Sequence, residues 1–140
     1  MKRTVGIRNN NPGNIRAPNS TLVWQGQIGV DDHGFCIFDT YRHGLRALGK
    51  LLLTYYDKHG LKTVRGIISR WAPPTENNTV SYIAGVCFDM RVDPDVELNL
   101  RDKDVLDDIV RAIVIHENGY FPYTARDLVQ CTDDVLGVTA

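Results

Sequence analysis

The sequence lacks a long hydrophobic run, an excess of charge of either sign and an apolar leader. Its 140 residues contain no stretch close to the roughly 20 apolar residues of a membrane span, so we expect no membrane insertion. The formal net charge of −1 removes the electrostatic argument for binding nucleic acid. Residues 1–6 lack the apolar segment of a signal peptide, so we expect synthesis in the cytoplasm without a leader.

Cysteine is scarce and widely spaced. The three cysteines, Cys36, Cys87 and Cys131, argue against a disulfide framework and against a zinc site of the CxxC type. We interpret them as buried thiols. The sequence implies neither a metal ion nor an organic cofactor.

What is present is the composition of an ordinary globular protein, with 43% hydrophobic and 24% charged residues. This length and composition predict one domain over residues 1–140 with a substantial core. Because the surface is nearly neutral overall and the chain is modest in size, we expect a monomer.

Hydrophobic periodicity predicts an α+β fold that is mainly α. Thr40 caps the longest predicted helix, which covers residues 41–58 and ends at Gly60. The other predicted helices cover residues 63–71, 79–88, 105–118 and 124–131. Residues 77–79 supply the cap of the 79–88 helix, and Asp104 caps the 105–118 helix. A separate turn is predicted from Thr132. Short strands are predicted at residues 22–24, 27–30 and 35–38, while residues 6–19 and 89–103 are predicted to be irregular.

Glu117 is the strongest candidate for a catalytic residue. It follows Leu106, Val110 and Ile113 on one stripe of a helix that Gly119 ends. Partial burial and the negative end of the helix dipole both favour the neutral form of such a carboxyl group. A neutral Glu can act as a general acid. The alternative is a helix-end Glu that reaches solvent and pairs with an Arg.

Residues 8–16, with the sequence RNNNPGNIR, have the composition of a loop. Asn tolerates left-handed backbone, Pro fixes φ and Gly frees it. The side chains of Asn10 and Asn14 also offer donors and acceptors to a ligand rich in hydroxyl groups. The alternative is a set of turns without a binding role.

Three blocks in their order along the chain resemble the lysozyme superfamily, in particular peptidoglycan glycosidases of bacteriophages and bacteria. Residues 9–16 with Trp24 and Gly26 resemble the NN-x-x-GI-K and W-x-G segments of flagellar-type glucosaminidases. Residues 34–40, GFCIFDT, are similar to their F-x-x-Y-x-S segment and to the G-L-M-Q segment of soluble lytic transglycosylases. Residues 67–79 resemble a later helix–loop–helix block of both groups. The segments RNNNPGNIR and WAPPTENNT are also typical of short phage proteins labelled as structural proteins or as virion muralytic enzymes.

The resemblance implies that the catalytic helix has moved. In those families the catalytic Glu precedes the NN block, whereas eight residues precede Asn9 here. Residues 115–123 resemble the missing helix end, so we expect a circularly permuted lysozyme-like domain with Glu117 as the acid. Glu76, in a proline-rich loop, is the second candidate. Its structural alternative is a first-turn Glu favoured by the helix dipole.

The resemblance implies cleavage of peptidoglycan strands between N-acetylmuramic acid and N-acetylglucosamine. Water as the nucleophile would give hydrolysis, whereas attack by the sugar's 6-hydroxyl would give a 1,6-anhydro product, as in lytic transglycosylases. Tyr82, Asn10 and Asn14 are the implied polar contacts to substrate. Trp24, Phe35 and Tyr120 offer aromatic faces to it. Trp71 offers another, with a place in the core as the favoured interpretation. The implied partner is peptidoglycan, on which the protein would act in the periplasm during phage entry or host lysis. For action during entry, the protein would be carried in the virion.

Two alternatives from other functional classes remain open. A cysteine endopeptidase would pair Cys36 with His43, His59 or His116 and cut the peptide crosslinks. A non-catalytic virion component or wall-binding module would keep the fold without the chemistry.

Overall fold

The computed structural model describes residues 3–75 and 77–137, which form a mainly helical fold with one small β-hairpin. The described helices are α1 (Val5–Arg8), α2 (Tyr41–His59), α3 (Val64–Trp71), α4 (Thr79–Met90), α5 (Lys103–Asn118) and α6 (Ala125–Leu136), with a 3₁₀ turn at Pro18–Ser20. The strands β1 (Gln27–Val30) and β2 (Cys36–Phe38) pair antiparallel. The predicted fold class, α+β and mainly α, is confirmed.

Helix boundaries follow from capping side chains. The side chains of Thr40, Thr63 and Asn78 accept hydrogen bonds from backbone N–H groups in the first turns of α2, α3 and α4. Gly60 and Gly119 adopt left-handed backbone just after α2 and α5, as a C-terminal cap requires. The predicted ends of these helices are therefore confirmed to within one or two residues.

Two predicted boundaries were wrong. Helix α5 is capped by Asp102 and not by Asp104, because the Asp102 carboxylate accepts the backbone N–H of Asp104 at 2.9 Å. Helix α6 continues through Thr132 to Leu136 instead of breaking there. The Thr132 hydroxyl is buried inside α6 and donates to Asp107 of α5, so helix packing supplies the partner that a separate turn would have supplied.

The region before the hairpin also differs from the prediction. Residues 22–24 form no strand, because the side-chain oxygen of Gln27 accepts the backbone N–H groups of Val23 and Trp24 and holds them in a turn. Residues 5–8, partly assigned to a loop, form the single turn α1 behind the cap Thr4.

One hydrophobic core, built around α2, joins helices α2 to α6 and β2. Helix α2 packs against α3, α5 and α6 and contributes the fully buried Leu45, Leu48 and Leu52. Leu98 and Leu100 are buried and anchor the irregular segment before α5 to the core. Within residues 3–75 and 77–137, each helix is too short or too polar to cross a membrane.

Two of the three cysteines match their interpretation as buried thiols. Cys36 and Cys131 are buried, whereas Cys87 is only half-buried. Cys87 lies on the outer side of α4, beside the exposed Phe88 and an open surface groove, so its thiol is only partly covered by the core.

Candidate functional site

The carboxylate of Glu117, in the last turn of α5, is held by two side-chain donors. The Nδ2 atom of Asn14 donates to Oε1 at 2.9 Å, and the hydroxyl of Tyr82 donates to Oε2 at 2.6 Å. Asn14 lies in the loop after α1 and Tyr82 lies in α4, so three segments that are distant in sequence meet at this carboxylate. Three of the predicted site residues are thus brought together.

Tyr82 is positioned by the packing of α4 against α5. Its side chain is 2% exposed, and its ring stacks on that of His116 with 3.7 Å between the centroids. Burial raises the pKa of the Tyr82 phenol far above its ordinary value, and the negative charge of Glu117 raises it further. The hydroxyl therefore stays protonated and donates to Glu117, whereas the predicted partner of Tyr82 was the substrate.

Asn14 is presented by a loop that a buried amide shapes. Asn11 is fully buried; its Nδ2 atom donates to the carbonyls of Ile15 and Cys36, and its Oδ1 atom accepts the N–H of Ile15. Asn14 itself has a φ of 51°, the left-handed conformation that Asn tolerates. Arg16, at the end of this loop, forms a single β-bridge with Phe35 and joins the loop to the hairpin.

A second buried amide fastens this loop to the end of α5. The Nδ2 atom of Asn118 donates to the carbonyls of Pro12 and Val114 at 2.8 and 3.0 Å, and its Oδ1 atom accepts the Thr4 hydroxyl. Asn118 is not among the residues predicted for the site. The available signal was its position directly after the candidate acid Glu117.

A cleft of about 490 Å³ opens at Glu117, within the size range of small-molecule sites. Its aromatic lining consists of Trp24, Phe35, Tyr55 and Trp71, and its polar lining includes Asn14, Asn77, Arg16 and Arg70. Glu117 is the single carboxylate among the described lining residues. The cleft thus combines flat apolar faces, amide groups and one acid.

Trp71 lines this cleft and also packs against the core, so the structure combines the two predicted interpretations of this residue. The ring approaches the backbone at Gly13, where an added Cβ would lie 3.2 Å from Trp71 Cζ2. Because glycine leaves this space open, the half-buried ring can sit beside the loop that carries Asn14. Both tryptophans of the chain, Trp24 and Trp71, therefore face the same cleft.

No protein-family model matches the sequence. Comparison with curated proteins finds Protein P5 of Pseudoalteromonas phage PM2, which is 39% identical over 125 residues, covering 88% of this chain and 76% of that protein. The chain belongs to the Protein P5 family. The predicted relationship to bacteriophage proteins is thereby confirmed.

Two predicted substrate contacts lie elsewhere in this P5-family protein. The Nδ2 atom of Asn10 donates to the carbonyls of Phe38 and Asp39, so this side chain secures the loop to β2. Tyr120 is 44% exposed beyond the end of α5 and is absent from the described cleft lining. Glu76, the second candidate acid, lies outside the described residues.

The Cys36 site of this P5-family protein does not suit a nucleophile. Its side chain has 0% exposure, and burial raises the pKa of its thiol to about 11. In the part of the chain that the structure describes, no hydrogen bond joins Cys36 to a histidine, and His43 instead contacts the carboxylate of Asp39 at 2.6 Å. A low-pKa thiolate paired with His, which a cysteine peptidase needs, is therefore not formed here.

Proposed function

We propose that this P5-family protein cleaves the glycan strands of peptidoglycan, with Glu117 as the general acid. The observation that carries the proposal is the placement of the Glu117 carboxylate, held by Asn14 and Tyr82, in a cleft with aromatic walls. Aromatic faces suit the apolar sides of sugar rings, and amide groups suit their hydroxyls.

The chemistry requires one group that gives a proton and later takes one back. Glu117 protonates the glycosidic oxygen as the C–O bond breaks, and the donors Asn14 and Tyr82 stabilise the carboxylate that results. The Tyr82 hydroxyl can also accept from the neutral carboxyl, so it keeps a hydrogen bond in both protonation states. The carboxylate then accepts the proton of the attacking hydroxyl group.

Attack by the sugar's own 6-hydroxyl fits this site better than hydrolysis assisted by a second protein carboxylate. The described lining contains Glu117 as its one carboxylate, and an inverting hydrolase needs a second one to activate water. The proposed reaction is therefore that of a lytic transglycosylase, with formation of a 1,6-anhydro end. A hydrolase in which the substrate's acetamido group assists is the alternative.

The proposed lysozyme-like, circularly permuted arrangement is supported by the contacts between α5 and the start of the chain. In the resembled families the catalytic helix precedes the NN block. Here Asn118 bonds to Thr4 and Pro12, so the end of α5 lies against the beginning of that block although it is more than 100 positions away. The similarity to a phage protein supports action on the host wall during phage entry or lysis.

The test is mass spectrometry of the fragments that the protein releases from purified peptidoglycan. We expect wild type to release anhydro-muropeptides and Glu117→Gln to lower the rate at least about a hundredfold, the usual contribution of a general acid. Glu97→Gln is the matched control, because Glu97 is exposed and lies outside the cleft lining. Glu76→Gln tests the second candidate acid.

Each result has a separate meaning. If the released fragments carry reducing ends and their release still depends on Glu117, then Glu117 is the acid and the reaction is hydrolysis. Loss of release in Glu76→Gln alone would reject Glu117 as the acid. Absence of any release by the wild-type protein would reject glycan cleavage.

A second candidate, a glycan-binding module without catalysis, is favoured by the fact that both oxygens of Glu117 already have protein donors. In that case the carboxylate serves to fasten the loop and α4 to α5. Wild-type protein that sediments with peptidoglycan but releases no fragments would support this candidate. Glu117→Gln would then reduce the stability of the fold rather than a reaction rate.

A further inference from the structure

The cleft carries two guanidinium groups beside its single described carboxylate. Arg16 lies over the ring of Phe35, with its Cζ atom 4.4 Å from the ring centroid, and its Nη1 atom donates to the carbonyl of His33. Arg70, in the last turn of α3, lies 5.2 Å from the centroid of Tyr55.

Arg70 differs from several other surface arginines in its partners. Arg46, Arg65 and Arg101 each form an ion pair with an aspartate of the described chain. Arg70 forms none with the described residues and rests instead on an aromatic ring. A side-chain hydrogen bond to Tyr55 also helps to hold its planar group in place, and the remaining N–H donors of the guanidinium are left for an anion in the cleft.

We infer that Arg70 selects glycan strands that carry carboxylate groups over neutral strands. This inference rests on the proposed function, since it names a feature of the substrate at that same cleft. Peptidoglycan offers carboxylates from two sources. Intact strands carry them on the peptide stems, whereas strands stripped of peptide expose the lactyl carboxylate of each muramic acid. Chitin oligosaccharides have similar rings but no carboxylate.

Binding is measured in the Glu117→Gln background, so that no strand is cleaved during the titration. The probes are soluble fragments of intact peptidoglycan, amidase-stripped strands and chitin oligosaccharides. Because both tryptophans of the chain line the cleft, intrinsic fluorescence reports binding directly. The variants are Arg70→Gln, Arg70→Lys and Arg126→Gln, the last removing one positive charge at an exposed position on α6.

We expect Arg70→Gln to weaken binding of a carboxylate-bearing probe about two- to fivefold and to leave chitin binding unchanged, as for an exposed ion pair. Arg70→Lys should recover part of the affinity, and Arg126→Gln should change nothing. A loss confined to intact fragments identifies the stem carboxylates, and a loss confined to stripped strands identifies the lactyl group. An equal loss for chitin, or no loss for any probe, would overturn the inference. The assay needs no turnover, so it remains decisive even if glycan cleavage is rejected.

Discussion

The buried amide of Asn118 connects the candidate acid to the N-terminal loop. It lies one residue after Glu117 and bonds to the Pro12 carbonyl and the Thr4 hydroxyl, while Asn14 of the same loop bonds to Glu117. The orientation of the carboxylate is therefore coupled to the position of the loop. This coupling can be tested without changing any residue that lines the cleft.

Asn118→Ala should lower the free energy of unfolding by about 2 kcal/mol, because it leaves the buried Pro12 carbonyl without its donor. It should also lower glycan release, since Asn14 is no longer held beside Glu117. Urea denaturation and fragment release are the two measurements. Gln130→Ala, at an exposed amide on α6, is the control. Unchanged stability in Asn118→Ala would show that the loop is held by other contacts.

The start of α6 is held by reciprocal hydrogen bonds between Thr124 and Asp127. The Thr124 hydroxyl accepts the N–H of Asp127, and the Asp127 carboxylate accepts the N–H of Thr124, both at 3.0 Å. Tyr41 of α2 donates to the same carboxylate, so the cap also joins two helices. The N–H of Thr124, followed by the other donors, lowers the pKa of Asp127 despite the opposing effect of burial.

This lowered pKa predicts a dependence of stability on pH. The ionised Asp127 stabilises the fold above the unfolded-state pKa of about 3.9, and this contribution is lost as the pH falls through the lower folded-state value. The difference in unfolding free energy between wild type and Asp127→Asn should thus be constant above about pH 5 and shrink below about pH 4. Urea denaturation across this range measures it. Asp32→Asn makes the same change at an exposed site, and equal pH profiles for both variants would contradict the prediction.

The fold as a whole determines which thiols meet solvent. Burial raises the pKa of Cys36 to about 11 and that of Cys131 to about 12. Cys87 is half-buried, and its pKa is raised too. Iodoacetamide should therefore modify native protein slowly and at Cys87 first, with glycan release retained.

Peptide mass spectrometry after timed alkylation checks this order, and the same reaction in urea, where all three thiols are exposed, is the control. Rapid modification of Cys36 with simultaneous loss of activity would contradict the prediction. It would instead support a mechanism in which the Cys36 thiol is the nucleophile.

Local sequence was sufficient for most of the helical framework. The stripe of leucines in α2, the caps Thr40 and Thr63, and Gly60 act over about one turn of helix, so their effects can be read from neighbouring residues. Because these effects act only between neighbouring residues, they do not reveal contacts between helices, and this explains the wrongly predicted boundary of α6. Where α6 continues through Thr132, the hydroxyl of Thr132 bonds both to the Leu128 carbonyl of its own helix and to Asp107 of α5, and no local pattern reveals the second contact.

The sequence by itself determined the fold class, the helical stripe that carries Glu117 and the loop character of residues 8–16. Only the tertiary structure decided that Asn14 contacts the acid while Asn10 secures the loop, since both asparagines have left-handed backbone and similar surroundings in sequence. The partners of Glu117 lie 103 and 35 positions away. Periodicity and capping act within a few residues, whereas contacts over such separations depend on how whole elements pack.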